Sequence, residues 1–235
     1  MIKNIAMAAT ALTLLSAASA SATTFTYDFL AAANAGGGIG ESIYDSFDTS
    51  SAFTGPNLTV TASAGNPGNP VPAFVYFDNG NAGMGVCKTP DASGFATLNT
   101  ATNGSANHCN PSSDDGITEV DEMLSFMATE NMVIQSISFN SNHDGGLTQA
   151  LTSMWTINGV SYDATADGTQ TGGGNIRFDL GFNLNAGDAF SVVGAVSPDS
   201  YISAIAVSAV PLPASALMLG VALGGLGFAR RKTKA

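Results

Sequence analysis

The chain has 235 residues, 45% of them hydrophobic and 11% charged, with a formal net charge of −11. All 18 acids lie between Asp28 and Asp199, where Lys88 and Arg177 are the only cations, so that stretch carries two positive charges against 18 negative, a net of −16. Such a surface repels phosphate backbones and argues against nucleic acid as a partner. It suits solubility outside the cell and contact with divalent cations.

The chain opens with a basic residue, Lys3, an apolar run from Ile5 to Ala18, and small residues in the pattern Ala18-Ser19-Ala20 and again Ala20-Ser21-Ala22. That is the layout of a cleaved secretory signal peptide, 1–22, with cleavage after Ala22 as first choice and after Ala20 as second. The apolar run is shorter than the ~20 residues of a membrane span, which argues against a permanent N-terminal anchor.

From residue 23 to 209 the pattern is one of strands. Runs rich in β-branched and aromatic residues recur between Gly, Asn, Asp and Pro punctuation: 24–29, 57–63, 73–78, 122–128, 133–140, 153–159, 175–182, 188–195 and 201–209. In VIQSISFN, Ile134, Ile137 and Phe139 interleave with Val133, Ser136, Ser138 and Asn140, as a half-buried strand requires. Many short strands without a long amphipathic helix predict an all-β domain, an antiparallel two-sheet β-sandwich of jelly-roll-like form. The glycines of AAANAGGGIG (31–40) do not make a phosphate loop, because the lysine and the strand-to-helix setting are missing. GNPGNPVP (65–72) reads as a rigid turn.

Cys87 and Cys109 are the only cysteines. In an exported chain an even count points to a disulfide, here closing a Gly-, Ser- and Asn-rich loop with a gain of about 3 kcal/mol on the chain-entropy account. No Cys-x-x-Cys spacing supports a metal or redox pair.

The segment NPSSDDGITEVDEM gathers Asp114, Asp115, Glu119, Asp121 and Glu122 around Gly116. A solvated acidic turn is the commoner outcome of such a run. The sharper reading is a weak calcium site with Asp114, Asp115 and Glu119 as ligands, since oxygen-rich loops suit that ion, although the spacing is not that of an EF-hand. His143 beside Asp144 lacks an accompanying nucleophile motif, and His108 abuts Cys109 outside any zinc motif. No residue is assigned to catalysis, and no cofactor other than calcium is suggested. Trp155, the sole tryptophan, reads as core.

The chain ends with Val210-Pro211-Leu212-Pro213-Ala214, an uncharged stretch to Ala229, and Arg230, Arg231, Lys232 and Lys234. The uncharged stretch is slightly short for a single transmembrane helix, and the basic cluster would stay cytoplasmic with the body outside. This ending, 210–235, joined to an N-terminal signal peptide, resembles the PEP-CTERM sorting signal of Gram-negative bacteria in its VPLPA variant. Leu212 stands where the commoner form has Glu. GMGVC (83–87), NPSSDD (110–115) and LNAGDAFSV (184–192) are similar to the β-sandwich cargo of such tails. The resemblance implies secretion, a transient inner-membrane anchor, processing near the motif by an exosortase, and a final place at the cell surface or in an exopolysaccharide-rich biofilm matrix. The expected function is therefore that of a non-enzymatic surface or matrix protein. A calcium-stabilised carbohydrate-binding module is the alternative.

Overall fold

Short strands of alternating burial make up most of the computed structural model, which describes residues 22–210 except 35, 66–68, 113–115, 118–120, 141–142, 144–152, 173 and 197–199. The strands are β1 (Thr24–Asp28), β2 (Ser42–Tyr44), β3 (Ser46–Asp48), β4 (Leu58–Ala64), β5 (Val71–Asp78), β6 (Gly83–Cys87) and β7 (Met123–Ala128). They continue with β8 (Met132–Asn140), β9 (Met154–Ile157), β10 (Val160–Asp163), β11 (Thr169–Gly172), β12 (Asn175–Leu184), β13 (Ala189–Val196) and β14 (Tyr201–Ala209). Two five-residue helices, α1 (Phe29–Ala33) and α2 (Ala92–Ala96), are capped at their N-termini by the side chains of Asp28 and Asp91. The expected signal helix and C-terminal span lie outside the described residues. Among the described residues no helix is long and apolar enough to cross a membrane.

All pairings are antiparallel, and hydrogen bonding follows one path, β10-β9-β13-β7-β4-β5-β6-β14-β8-β12-β11, with β1 on β14, β2 on β5 and β3 on β4. The all-β expectation holds. The hydrogen bonding does not separate into two sheets, because β5 serves both halves: Val71–Ala73 pair with β4, and Phe74–Asp78 pair with β6. The sheet curls instead, like half a barrel. Its two terminal strands, β10 and β11, are joined by residues 164–168 alone. That linker reaches ~20 Å at most, whereas eleven flat strands would span ~48 Å.

Irregular register supplies part of the curvature. Between Ser136 and Ile134, β8 advances two residues while β14 advances one, from Ala206 to Val207. Alongside, β12 advances three, from Asp179 to Phe182, against the same two residues of β8. Each strand outward from β14 thus gains a residue, a pair of neighbouring bulges that bends the sheet. Gly181 sits at φ 70° in the outer bulge, a left-handed conformation in which other residues are strained. The slip also explains the uneven alternation of VIQSISFN: with one extra residue accommodated, Ile134 and Ile137 both point inward. A further bulge places Ser203 as the extra residue of β14 between Ile202 and Ala204. At Gly83 a side chain would meet the Ile202 carbonyl oxygen at 2.6 Å, so the close approach of β6 to β14 depends on glycine there.

Inside the curl, side chains from both arms of the path share one core. Trp155 of β9, fully buried, stacks on Phe139 of β8 with ring centroids 4.4 Å apart, and Phe178 of β12 meets it edge-on at 5.4 Å. Its indole N–H donates to Ser200 Oγ at 3.2 Å, so the expected core role carries no unmet polar group. Phe182 of β12 packs against Phe190 of β13 in the same way. Truncating Trp155 to alanine would cost about 4 kcal/mol by loss of burial and creation of a cavity. Residues 24–209 form one compact unit.

The nine segments read as strands from sequence all contain strands. Five others, β2, β3, β6, β10 and β11, have three to five residues each, and their Gly, Ser and Thr content masks the alternation.

Candidate functional site

The expected disulfide is present. Cys87 at the end of β6 is bonded to Cys109, 22 positions on, and both are buried. The loop it closes is anchored throughout. Asp91 donates its backbone N–H to the His108 carbonyl at 2.9 Å, and Asn110 donates to the Thr89 carbonyl at 2.8 Å. Beneath the loop the Tyr76 hydroxyl donates to Glu41 Oε1 at 2.6 Å and accepts from the His108 backbone N–H at 3.1 Å. Burial, with the Glu41 contact second, pushes the Tyr76 phenol well above its ordinary pKa, so it remains a neutral donor.

Ser93 and His108 bring a hydroxyl and an imidazole to 3.0 Å at Nδ1, the spacing of a nucleophile and its base. The proton positions argue otherwise. Ser93 lies 2.7 Å from Asp91 Oδ1, a carboxylate that can only accept, so the hydroxyl proton goes there. His108 Nδ1 must then be the donor to Ser93 Oγ, and a nitrogen that donates cannot also remove a proton. Asp91 Oδ1 accepts in addition from the Gly94 N–H at 2.6 Å. The Gly94 and then the Ser93 hydrogen bonds hold the Asp91 carboxyl below its ordinary pKa. The group is a helix cap locked by histidine.

The second histidine is placed by a residue that local sequence did not indicate. His143 Nδ1 lies 3.4 Å from Asp78 Oδ2 at the buried end of β5, and its ring meets Tyr201 edge-on at 6.0 Å. A buried carboxylate behind an imidazole orients the ring; it becomes a catalytic base only with a nucleophile at the far nitrogen.

Of the acidic segment, Asp114, Asp115 and Glu119 lie outside the described residues. Glu122 is fully buried and paired with Lys88 at 3.0 Å, so it belongs to the interior rather than to a solvated turn. Among the described residues no group of three His, Cys, Asp or Glu side chains is placed to hold a metal. Of the sorting motif only Val210 is described, and it is exposed. Pro211, Leu212, Pro213 and Ala214, like Arg230 and Arg231, lie outside.

One surface was not marked out in sequence: the outward face of β1, β14, β8, β12 and β11. Register aligns Asp28, Ala204, Ser138, Arg177 and Thr169 in one row across the five strands. Thr26, Ala206, Ser136 and Asp179 form the next row. Small residues occupy the middle of both rows and longer ones the flanks, leaving a shallow furrow. It holds a depression of about 230 Å³ lined by Asp28, Leu30, Ser138, Thr171, Asn175 and Ser203. Another, of about 470 Å³, is lined by Gln135, Ser136, Arg177, Asp179, Leu180 and Gly181 at the neighbouring bulges. Arg177 is held by Asp179 at 2.9 Å. The uneven alternation of VIQSISFN was the available clue, because a bulge re-aims side chains. Comparison with protein families, characterised proteins and solved structures finds no match for this chain.

Proposed function

We propose that this is a non-enzymatic exported protein, delivered through a transient inner-membrane anchor and an exosortase to the cell surface or extracellular matrix, where it associates with exopolysaccharide. The observation that carries the reading is the buried Cys87–Cys109 disulfide, a cross-link suited to an oxidising compartment. The signal-like start and the VPLPA ending, with its uncharged stretch and basic tail, support export and sorting. The site geometry agrees with a non-catalytic role, since the Ser93–His108 pair is committed to capping α2. We read the curled sheet as a jelly-roll-like sandwich whose two layers share β5.

The test is intact-mass analysis and fractionation of the protein expressed in a Gram-negative host that has an exosortase. The expected product begins at Thr23, has lost the tail beyond the Val210–Ala214 motif, contains the disulfide, and is found outside the inner membrane. Pro211→Ala/Pro213→Ala should retain the tail and remain membrane-bound. A wild-type protein with its tail intact, or a double variant processed like wild type, would overturn the sorting assignment.

A further inference from the structure

Two serines on the outward face are largely buried as residues, yet their hydroxyls reach solvent in the furrow instead of bonding within the protein. Ser203 is 4% exposed and Ser136 8% exposed, and neither hydroxyl has a partner among the described residues. Both sit at irregularities of register: Ser203 is the extra residue of β14, and Ser136 adjoins the slip in β8. Each lines one of the two depressions. A bulge interrupts pairing, and two bulges here deliver to one furrow hydroxyls whose hydrogen bonds are completed from outside the protein, by water or by a ligand that replaces it.

The depressions lie end to end along β8 and β12, where Ser138 and Asn175 line one and Ser136 and Asp179 the other. From Asn175 to Gly181 the furrow runs ~20 Å at strand rise, enough for a few sugar rings in an extended chain. Its lining mixes hydroxyls, two carboxylates and the Asn175 and Gln135 amides, which also donate to the Gly172 carbonyl and to Ser208 Oγ, so polar groups of both kinds stand in two rows. Leu30 and Leu180 supply apolar contact for the C–H faces of a ring. Charge narrows the ligand further. Arg177 is already paired with Asp179, Asp28 is a carboxylate engaged only in capping α1, and the surrounding body carries two cations against 18 acids, so a chain of acidic sugars would be repelled.

We propose that this furrow binds an extended polysaccharide strand bearing free hydroxyls and no acidic groups, with Ser136 and Ser203 completing their hydrogen bonds on the sugar. The proposal rests on the exopolysaccharide association proposed above and supplies its site.

The test is calorimetric titration of the full chain in a polyoxyethylene detergent, which carries no sugar, with cellohexaose, hexaglucosamine and hexagalacturonate. Binding of the first two and not the third is expected. Ser136→Ala/Ser203→Ala should weaken binding ~tenfold while leaving Tm unchanged or raised, because the hydroxyls it removes are unpaired in the free protein. Ser138→Gln, on a half-exposed position, should block the furrow by bulk and abolish binding in a folded protein. If wild type and both variants bind equally, the site lies elsewhere and the furrow proposal falls while polysaccharide association stands. If no oligosaccharide binds, or hexagalacturonate binds best, the ligand class itself is wrong.

Discussion

The loop closed by the disulfide and the outward face of β1, β14, β8, β12 and β11 are both rich in serine, threonine and asparagine, yet they use those residues in opposite ways. In the loop, polar groups are committed to one another: Tyr76 to Glu41 and the His108 backbone, His108 to Ser93, Ser93 to Asp91, and Asp91 to the cap of α2. On the face, Ser136 and Ser203 are largely buried as residues, but their hydroxyls open into the depressions and have no partner among the described residues. A polar group closed within the protein specifies structure; one left open at the bottom of a depression is available to a ligand. Composition cannot separate the two cases.

Replacements that open the closed network should therefore be costly, and those on the face cheap. The largest effect is expected for Cys87→Ser/Cys109→Ser, which frees a loop of 22 positions and should cost about 3–4 kcal/mol in chemical denaturation. A loss under ~1 kcal/mol would show that the hydrogen bonds alone hold the loop. Next comes Lys88→Met, which removes the cation 3.0 Å from the buried Glu122 and should cost about 3 kcal/mol. Adding Glu122→Leu should restore part of that, since it removes the buried carboxylate that Lys88 served; a double variant no more stable than the single one would contradict this.

Asp91→Ala should cost about 1 kcal/mol as a lost cap. Its pH dependence has a definite sign. The folded-state pKa of Asp91 is depressed, first by the Gly94 N–H and then by Ser93. Its contribution is therefore present above the unfolded carboxyl value of ~3.9 and is lost as pH falls through the depressed folded value. Asp48, held down chiefly by Ser50, acts in the same direction. The difference in stability between wild type and Asp91→Ala should accordingly shrink below about pH 4. A difference that grows with acid would reverse the assignment. The smallest effect, near zero or slightly stabilising, is expected for removal of the Ser136 and Ser203 hydroxyls.

Strands long enough to show alternation could be read from the chain, as could the disulfide, because two cysteines leave a single pairing. What escaped depended on distance or on phase. His143 is adjacent in sequence to Asp144, but the carboxylate the structure puts beside it is Asp78, at the end of β5 and far away in sequence. Glu122 reads as one more acid in an acidic run until β6 brings Lys88 against it. The sharing of β5 between two halves of the sheet has no local signature, since Val71–Asp78 reads as one uninterrupted strand. The furrow was hidden for a related reason. A one-residue slip of register moves a serine from one face to the other, and only the partner strand reveals whether the slip is taken up as a bulge.

Amide hydrogen exchange of the full chain with and without saturating cellohexaose tests the contrast between the two regions most directly. Sugar should slow exchange in β8, β12 and β14 around Ser136, Arg177 and Ser203, and leave residues 88–112 unchanged. Slowing confined to residues 88–112, with the outward face unaffected, would contradict the account.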